Sequence, residues 1–213
     1  MLNRAVHRAV VAVNMEGSLK IYIDYLSVES IPLPRQAQLR DVSEQIKQVM
    51  EQNGEVNLNF ICTHNSRRSQ FAQVWAQCLS EYFAYDVNCF SGGVEITECN
   101  PRTVHALEVT GFQVSRTGLN NPVYDVSFDA EKEPISLFSK LHSDEANPKR
   151  FIAIMTCDHA DQNCPFIPHA VKRIPLTYID PKASDGTVAE TETYLKTSEK
   201  IATEMKFLFS QLP

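Results

Sequence analysis

"NLNFICTHNSRRSQFAQVWA", residues 57–76, joins three patterns in one stretch. Leu58 and Phe60 alternate with polar residues and Ile61 follows, as in a strand entering a sheet. Phe71, Val74, Trp75, Cys78, Leu79 and Tyr82 recur at three and four, which predicts a helix. The polar loop between them sits where successive backbone N–H groups and the positive end of a helix dipole converge on one point, a place suited to an oxyanion. Cys62 heads this loop and Arg68 closes it. In that field a thiolate is favoured over a thiol, and the Arg68 guanidinium can clamp two oxygens of a tetrahedral anion. Thr63, His64, Asn65, Ser66, Arg67 and Ser69 make up the rest of the oxyanion-binding loop, with Asn65, Ser66 and Ser69 able to hold it rigid or to bond the sulfur. The plainer alternative is a buried free cysteine near surface arginines.

The strand-then-helix rhythm continues outward. "YDVNCF" runs as a strand into "SGG". "NPRTVHALEVTGF" supplies an Asn100 cap, Pro101 at the first helical position and Gly111 as the stop. "FIAIM" is a short apolar run of the kind buried in parallel sheets, and "RIPLT" is a fourth strand that Pro175 assigns to an edge. Residues 189–210 form a closing helix through Tyr194, Leu195, Ser198, Ile201, Met205 and Leu208. Alternating strands and helices predict an α/β domain with parallel pairing over residues 55–213. Residues 119–150 read as an irregular polar insertion apart from the strand-like "VYDVSF". On the N-terminal side, Leu39, Val42, Ile46, Val49 and Met50 mark an amphipathic helix stopped by Gly54, and "LKIYIDYLSVES" fits a shorter helix through Leu19, Tyr22 and Leu26 while also alternating as a strand would. Residues 1–54 are therefore expected to be a helical extension.

Composition narrows the function. Twenty basic against 26 acidic residues leave a net charge of −6, which offers no general attraction to nucleic acid or anionic lipid. Any anion site must be local. No window is long and apolar enough to span a bilayer. "MLNRAVHRAVVAVN" is basic and free of acids but too short in its apolar part for a signal peptide, and Met15 could equally be the native start. Without a secretory signal, Cys62, Cys78, Cys89, Cys99, Cys157 and Cys164 read as cytoplasmic thiols, with Cys78 and Cys89 filling core.

"CTHNSRRSQ" resembles the phosphate-binding signature of the low-molecular-weight protein tyrosine phosphatases and of the thioredoxin-coupled arsenate reductases that share their fold. "SGG" with "NPRTVHALEVTGF", and "YIDP" near the C-terminus, resemble further segments of the family in the same order. The resemblance implies a four-stranded parallel sheet flanked by helices, Cys62 as nucleophile, Arg68 as oxyanion ligand and Asp180 as general acid. A leaving oxygen needs a proton that a carboxyl can deliver, although an aspartate before Pro181 also suits a plain turn. His64 and Arg67 depart from the pattern: such loops often carry glycine at the first position and, in the reductases, an additional cysteine at the second. A histidine there is expected to shift the backbone, because glycine accepts positive φ more readily.

"CDHADQNCP", residues 157–165, resembles the redox segment of the reductases, with Cys157 and Cys164 both in place. The resemblance implies that Cys62 attacks arsenate, Cys157 attacks Cys62, and Cys164 takes over Cys157 as a disulfide. No cofactor is implied beyond an external thiol reductant such as thioredoxin. If residues 157–164 are helical, their Cα atoms lie about 10 Å apart, beyond the roughly 7 Å a disulfide bridges. Three alternatives stay open: a zinc site of Cys157, His159, Cys164 and His169; packing of both thiols in the core; and a tyrosine phosphatase or a non-catalytic oxyanion or phosphoprotein sensor on the same loop.

Overall fold

The computed structural model describes residues 17–164 and 166–213, so the readings of a basic leader and of Met15 as a start lie outside the described residues. Helix α1 (Gly17–Tyr25) and helix α2 (Leu33–Asn53) come first, and Gly54 ends α2 at φ +76°, where a glycine is favoured. Then follow strand β1 (Val56–Cys62), helix α3 (Arg68–Tyr82), strand β2 (Val87–Gly93) and helix α4 (Pro101–Val109). The Asn100 side chain caps α4 by accepting from Arg102 N, with Pro101 next to it, as the sequence predicts. Three short strands, β3 (Gln113–Thr117), β4 (Val123–Ser127) and β5 (Ile135–Leu137), precede strand β6 (Phe151–Met155), helix α5 (Asp158–Asn163), strand β7 (Ala170–Pro175) and helix α6 (Glu190–Ser210).

The main sheet runs in the order β2-β1-β6-β7, all parallel. β6 is buried at every position, which explains its unbroken apolar sequence, and β7, carrying Pro175, lies at an edge. In a parallel sheet the loops at the carboxyl ends of the strands gather at one end, and here they bring Cys62, Cys157 and the 176–180 segment together.

Trp75 on α3 is fully buried at the centre of the core. Its indole N–H donates to Ser198 Oγ on α6 at 2.9 Å, Tyr22 stacks on it, and Phe112 meets it edge-on. Leu19 and Ile23 of α1 and Leu39, Val42 and Ile46 of α2 belong to this same cluster. The N-terminal helices therefore share one core with the sheet.

Within residues 119–150, "VYDVSF" is a strand as expected, but the irregular reading of the rest needs correction. β3, β4 and β5 form a second, antiparallel sheet, which begins at Gln113, before the expected boundary. β3 is polar and almost wholly exposed, and β5 has only three residues, so neither offers a periodic apolar signal.

Candidate active site

The loop after β1 is built as a cup of amide hydrogens. Each carbonyl from Thr63 to Arg67 is already engaged from outside. Thr63 O accepts from Val94 N and Glu95 N, Ser66 O from Asn100 N, and Arg67 O from Phe71 N. His64 O accepts from Ser139 Oγ at 2.7 Å, and Asn65 O from Gln70 Nε2 at 2.8 Å. The N–H groups of His64, Asn65, Ser66 and Arg67 donate to no acceptor among the described residues. A run of backbone whose carbonyls are all turned outward and bonded leaves its N–H groups to an anion.

Asn65 holds the loop's tightest bend at φ +47°, a left-handed conformation that asparagine tolerates better than most residues. His64 is not among the residues with positive φ, so the expected backbone shift at that position does not occur. Its ring instead faces Glu95 at 3.3 Å on the exposed rim.

The Asn65 amide is oriented by a backbone donor, since Lys140 N–H binds its Oδ1 at 3.0 Å. Its Nδ2 must then donate, and it does so to Ser69 Oγ and Ser91 Oγ, both at 2.9 Å. Ser69 Oγ therefore accepts from Asn65 and keeps its own proton for Cys62 Sγ, 3.1 Å away. That donor comes from the first turn of α3. Cys62 is buried, 4 % exposed, beside Ile61, Met155 and Cys157.

Arg68 opens α3. Its Nη2 donates to Asp180 Oδ2 at 2.7 Å and its Nη1 to Tyr178 O at 3.1 Å, while its buried Nε has no hydrogen-bond partner. That leaves the Nε–H and one further N–H on each terminal nitrogen for a guest oxyanion. Asp180 does two jobs: Oδ2 meets Arg68, and Oδ1 accepts from Lys182 N to cap a short 3-10 turn at Pro181–Ser184. The reading of Asp180 as a turn former is thus borne out. Arg67 turns aside: its Nε donates to Tyr194 OH at 2.9 Å, and its terminal nitrogens face Asp180 and Asp185 at 3.8 and 3.7 Å. The Tyr194 phenol is pushed up to about 12 by burial and by its bond to Asp185, so it stays neutral as a partner for Arg67.

Cys157 ends the β6 segment next to the loop. Its Sγ lies 3.5 Å from Thr63 Oγ1, which is also 3.3 Å from His159 Nδ1, and it accepts from Ala160 N at the start of α5. Cys164 caps the other end of α5 and is half-buried. All six cysteines are free thiols, and burial pushes Cys78 and Cys89 well above the ordinary thiol range, as fits core residues. The zinc alternative needs Cys157, His159, Cys164 and His169 to converge. Among the described residues no group of three or more histidine, cysteine, aspartate or glutamate side chains is placed to hold a metal.

No family model matches the chain. An arsenate reductase of Brevibacillus brevis is 31% identical over 126 residues, covering 59% of this chain and 77% of the relative. The chain belongs to the arsenate reductase family. A second member, the arsenate reductase of Bacillus subtilis, is 30% identical over 131 residues, covering 62% of this chain and 78% of its own length. Among solved structures, the low-molecular-weight protein tyrosine phosphatase of T. tengcongensis aligns with a TM-score of 0.51 at 18% identity, over 74% of this chain and 99% of that one. A low-molecular-weight phosphotyrosine phosphatase of Vibrio cholerae O395 aligns with a TM-score of 0.53 at 13% identity, over 73% and 95%. These two show the fold, and the family members show an enzyme of this type. Among the described residues no helix is long and apolar enough to cross a membrane.

The sequence reading did not find the residues that hold the loop from behind. Ser91, Gln70, Ser139 and the Lys140 backbone are all bonded to it, and Asn121 anchors Ser139 through both its amide atoms. Three of these lie in the segment read as insertion. A short polar run far along the chain carries no periodicity to reveal such a role.

Proposed function

We propose that this protein reduces arsenate with three cysteines and an external dithiol. The observation that carries the reading is Cys157 Sγ lying 3.5 Å from the Thr63 hydroxyl, so that a second thiol adjoins the anion cup beside the nucleophile.

In the first step arsenate sits on the loop N–H groups and Arg68. The Cys62 thiolate forms an S–As bond, an As–O bond breaks, and the departing oxygen leaves as water with a proton from Asp180. In the second, the Cys157 thiolate attacks Cys62 Sγ. An S–S bond forms, the S–As bond breaks, and its electron pair stays on arsenic, which departs as arsenite. In the third, the Cys164 thiolate attacks Cys157, which releases Cys62 as thiolate and leaves the 157–164 disulfide for a reductant such as thioredoxin. The two electrons gained by arsenic thus come from two thiols.

Phosphomonoester hydrolysis is the second reading, favoured by Asp180 held at 2.7 Å from Arg68, where an acid could meet an ester oxygen. It needs Cys62, Arg68 and Asp180 but neither Cys157 nor Cys164. Parallel assays of arsenate reduction with thioredoxin and of aryl phosphate hydrolysis separate the readings. Cys62→Ser is expected to abolish both, and Cys157→Ser only the first. Arsenate reduction by Cys157→Ser would contradict the relay, and phosphate binding without any turnover would leave a sensor.

A further inference from the structure

The segment from β7 to the acid, residues 175–180, has two edges. On one, Leu176 N and Tyr178 N donate to Met155 O and Thr156 O, which continues the parallel sheet. On the other, the carbonyls of Pro175 and Thr177 point away from the sheet, with no strand beyond β7 among the described residues. Helix α2 supplies the missing donors. Gln38 Nε2 donates to Pro175 O at 3.1 Å and Arg35 Nη2 to Thr177 O at 3.2 Å.

Arg35 is itself fixed. Its Nε and Nη2 form a two-pronged bond to Glu204 of α6 at 3.0 and 2.7 Å, and its Nη1 donates to Gln38. Its guanidinium lies over the Tyr178 ring, 5.1 Å from the centroid. The carbonyl of that same tyrosine receives Arg68 Nη1, and Asp180, two residues on, receives Arg68 Nη2.

We infer that Arg35 is a positioning residue for the acid: with Gln38 it clamps the 175–178 segment, and so fixes where the Asp180 carboxyl stands relative to Arg68. A planar guanidinium is required because it must donate to Glu204 and Thr177 together while lying over the Tyr178 ring. The inference rests on the proposed role of Asp180, and it gives the N-terminal helix a part in the chemistry beyond its share of the core.

The test compares phenyl phosphate, whose leaving group needs a proton, with p-nitrophenyl phosphate, whose leaving group needs it far less. Arg35→Ala is expected to lower kcat for phenyl phosphate about tenfold more than for p-nitrophenyl phosphate, since small displacements of an acid cost rate steeply. KM and the inhibition constant for inorganic phosphate should stay near the native values, because the cup is untouched. Arg35→Lys, which keeps the charge opposite Glu204 but not the fork, should recover thermal stability without recovering the phenyl phosphate rate, and it serves if Arg35→Ala does not fold. Amide hydrogen exchange at residues 177–180 should quicken in either variant. Equal losses on both esters, or unchanged exchange, would overturn the clamp. Native enzyme inactive on both esters would count against Asp180 as an acid for esters, while the exchange measurement would still decide the clamp.

Discussion

Arg68 Nη2 donates to Asp180 Oδ2 at 2.7 Å, so the guanidinium proposed to receive the oxyanion and the carboxyl proposed as the acid hold each other. On the proposed mechanism an arriving anion competes with Asp180 for Arg68, and the displaced carboxyl takes and delivers the proton. Asp180→Asn removes that competitor together with the acid. Phosphate is expected to inhibit the variant at several-fold lower concentration than the native protein. Turnover of phenyl phosphate is expected to fall about 100-fold, the lower end for loss of a general acid. Weaker phosphate inhibition with unchanged turnover would contradict both roles.

Helix α5 stands between the two cysteines of the proposed relay, with Cys157 at one cap and Cys164 at the other. A helix of this length keeps their Cα atoms about 10 Å apart, too far for a disulfide. Oxidation must therefore unwind it. Amide exchange of residues 158–164 should be distinctly faster in the oxidised protein, and identical protection in the two forms would show that the bond does not form there.

The turn after β2 closes on the anion loop from behind. A Cβ at Gly93 would lie 2.8 Å from Thr63 O and 2.9 Å from Asn65 N, both backbone atoms that cannot swing aside. Gly93→Ala should cost about 1–3 kcal/mol of stability by overpacking and weaken phosphate binding at least tenfold through the displaced loop. Calorimetry and phosphate inhibition check the two effects, and an unchanged inhibition constant would mean that the loop adapts.

Lys140 is almost fully buried, and burial lowers its ammonium to about 8, with Asp144 offsetting only part of the effect. In the unfolded chain a lysine titrates near 10.4. Between pH ~8 and ~10.4 the unfolded state therefore holds more protons, and linkage makes the Lys140 contribution to stability rise with pH across that window. Below pH 8 the full cost of a buried charge is present. Lys140→Met should raise the melting temperature at pH 7, and its advantage should shrink by pH 10. An advantage that grows with pH would reverse the assignment.

Much of this was legible in the residues themselves. The strand, loop and helix around Cys62 each carry a local signal: alternation at Leu58 and Phe60, polar turn residues, and recurrence from Phe71 to Tyr82. "FIAIM" and Pro175 likewise mark a buried strand and an edge, because burial on both faces and loss of an N–H leave direct traces in residue type. Long-range partners leave none. Nothing local tells that Ser139 and Lys140 brace a loop some 75 residues earlier, or that Arg35 reaches Thr177 and Glu204 across the fold. Arg67 shows the same limit, since its place in the loop suggests charge for the anion while Tyr194, far along the chain, draws its guanidinium away.

The proposed relay requires Cys157 to attack the sulfur that holds arsenic, and the Cys164→Ser variant stops it at that point. One equivalent of arsenate, followed by acid quench and mass spectrometry of the peptides, should give one equivalent of arsenite and a disulfide joining Cys62 to Cys157. Arsenite formed with both thiols still free, or joined through any other cysteine, would contradict it.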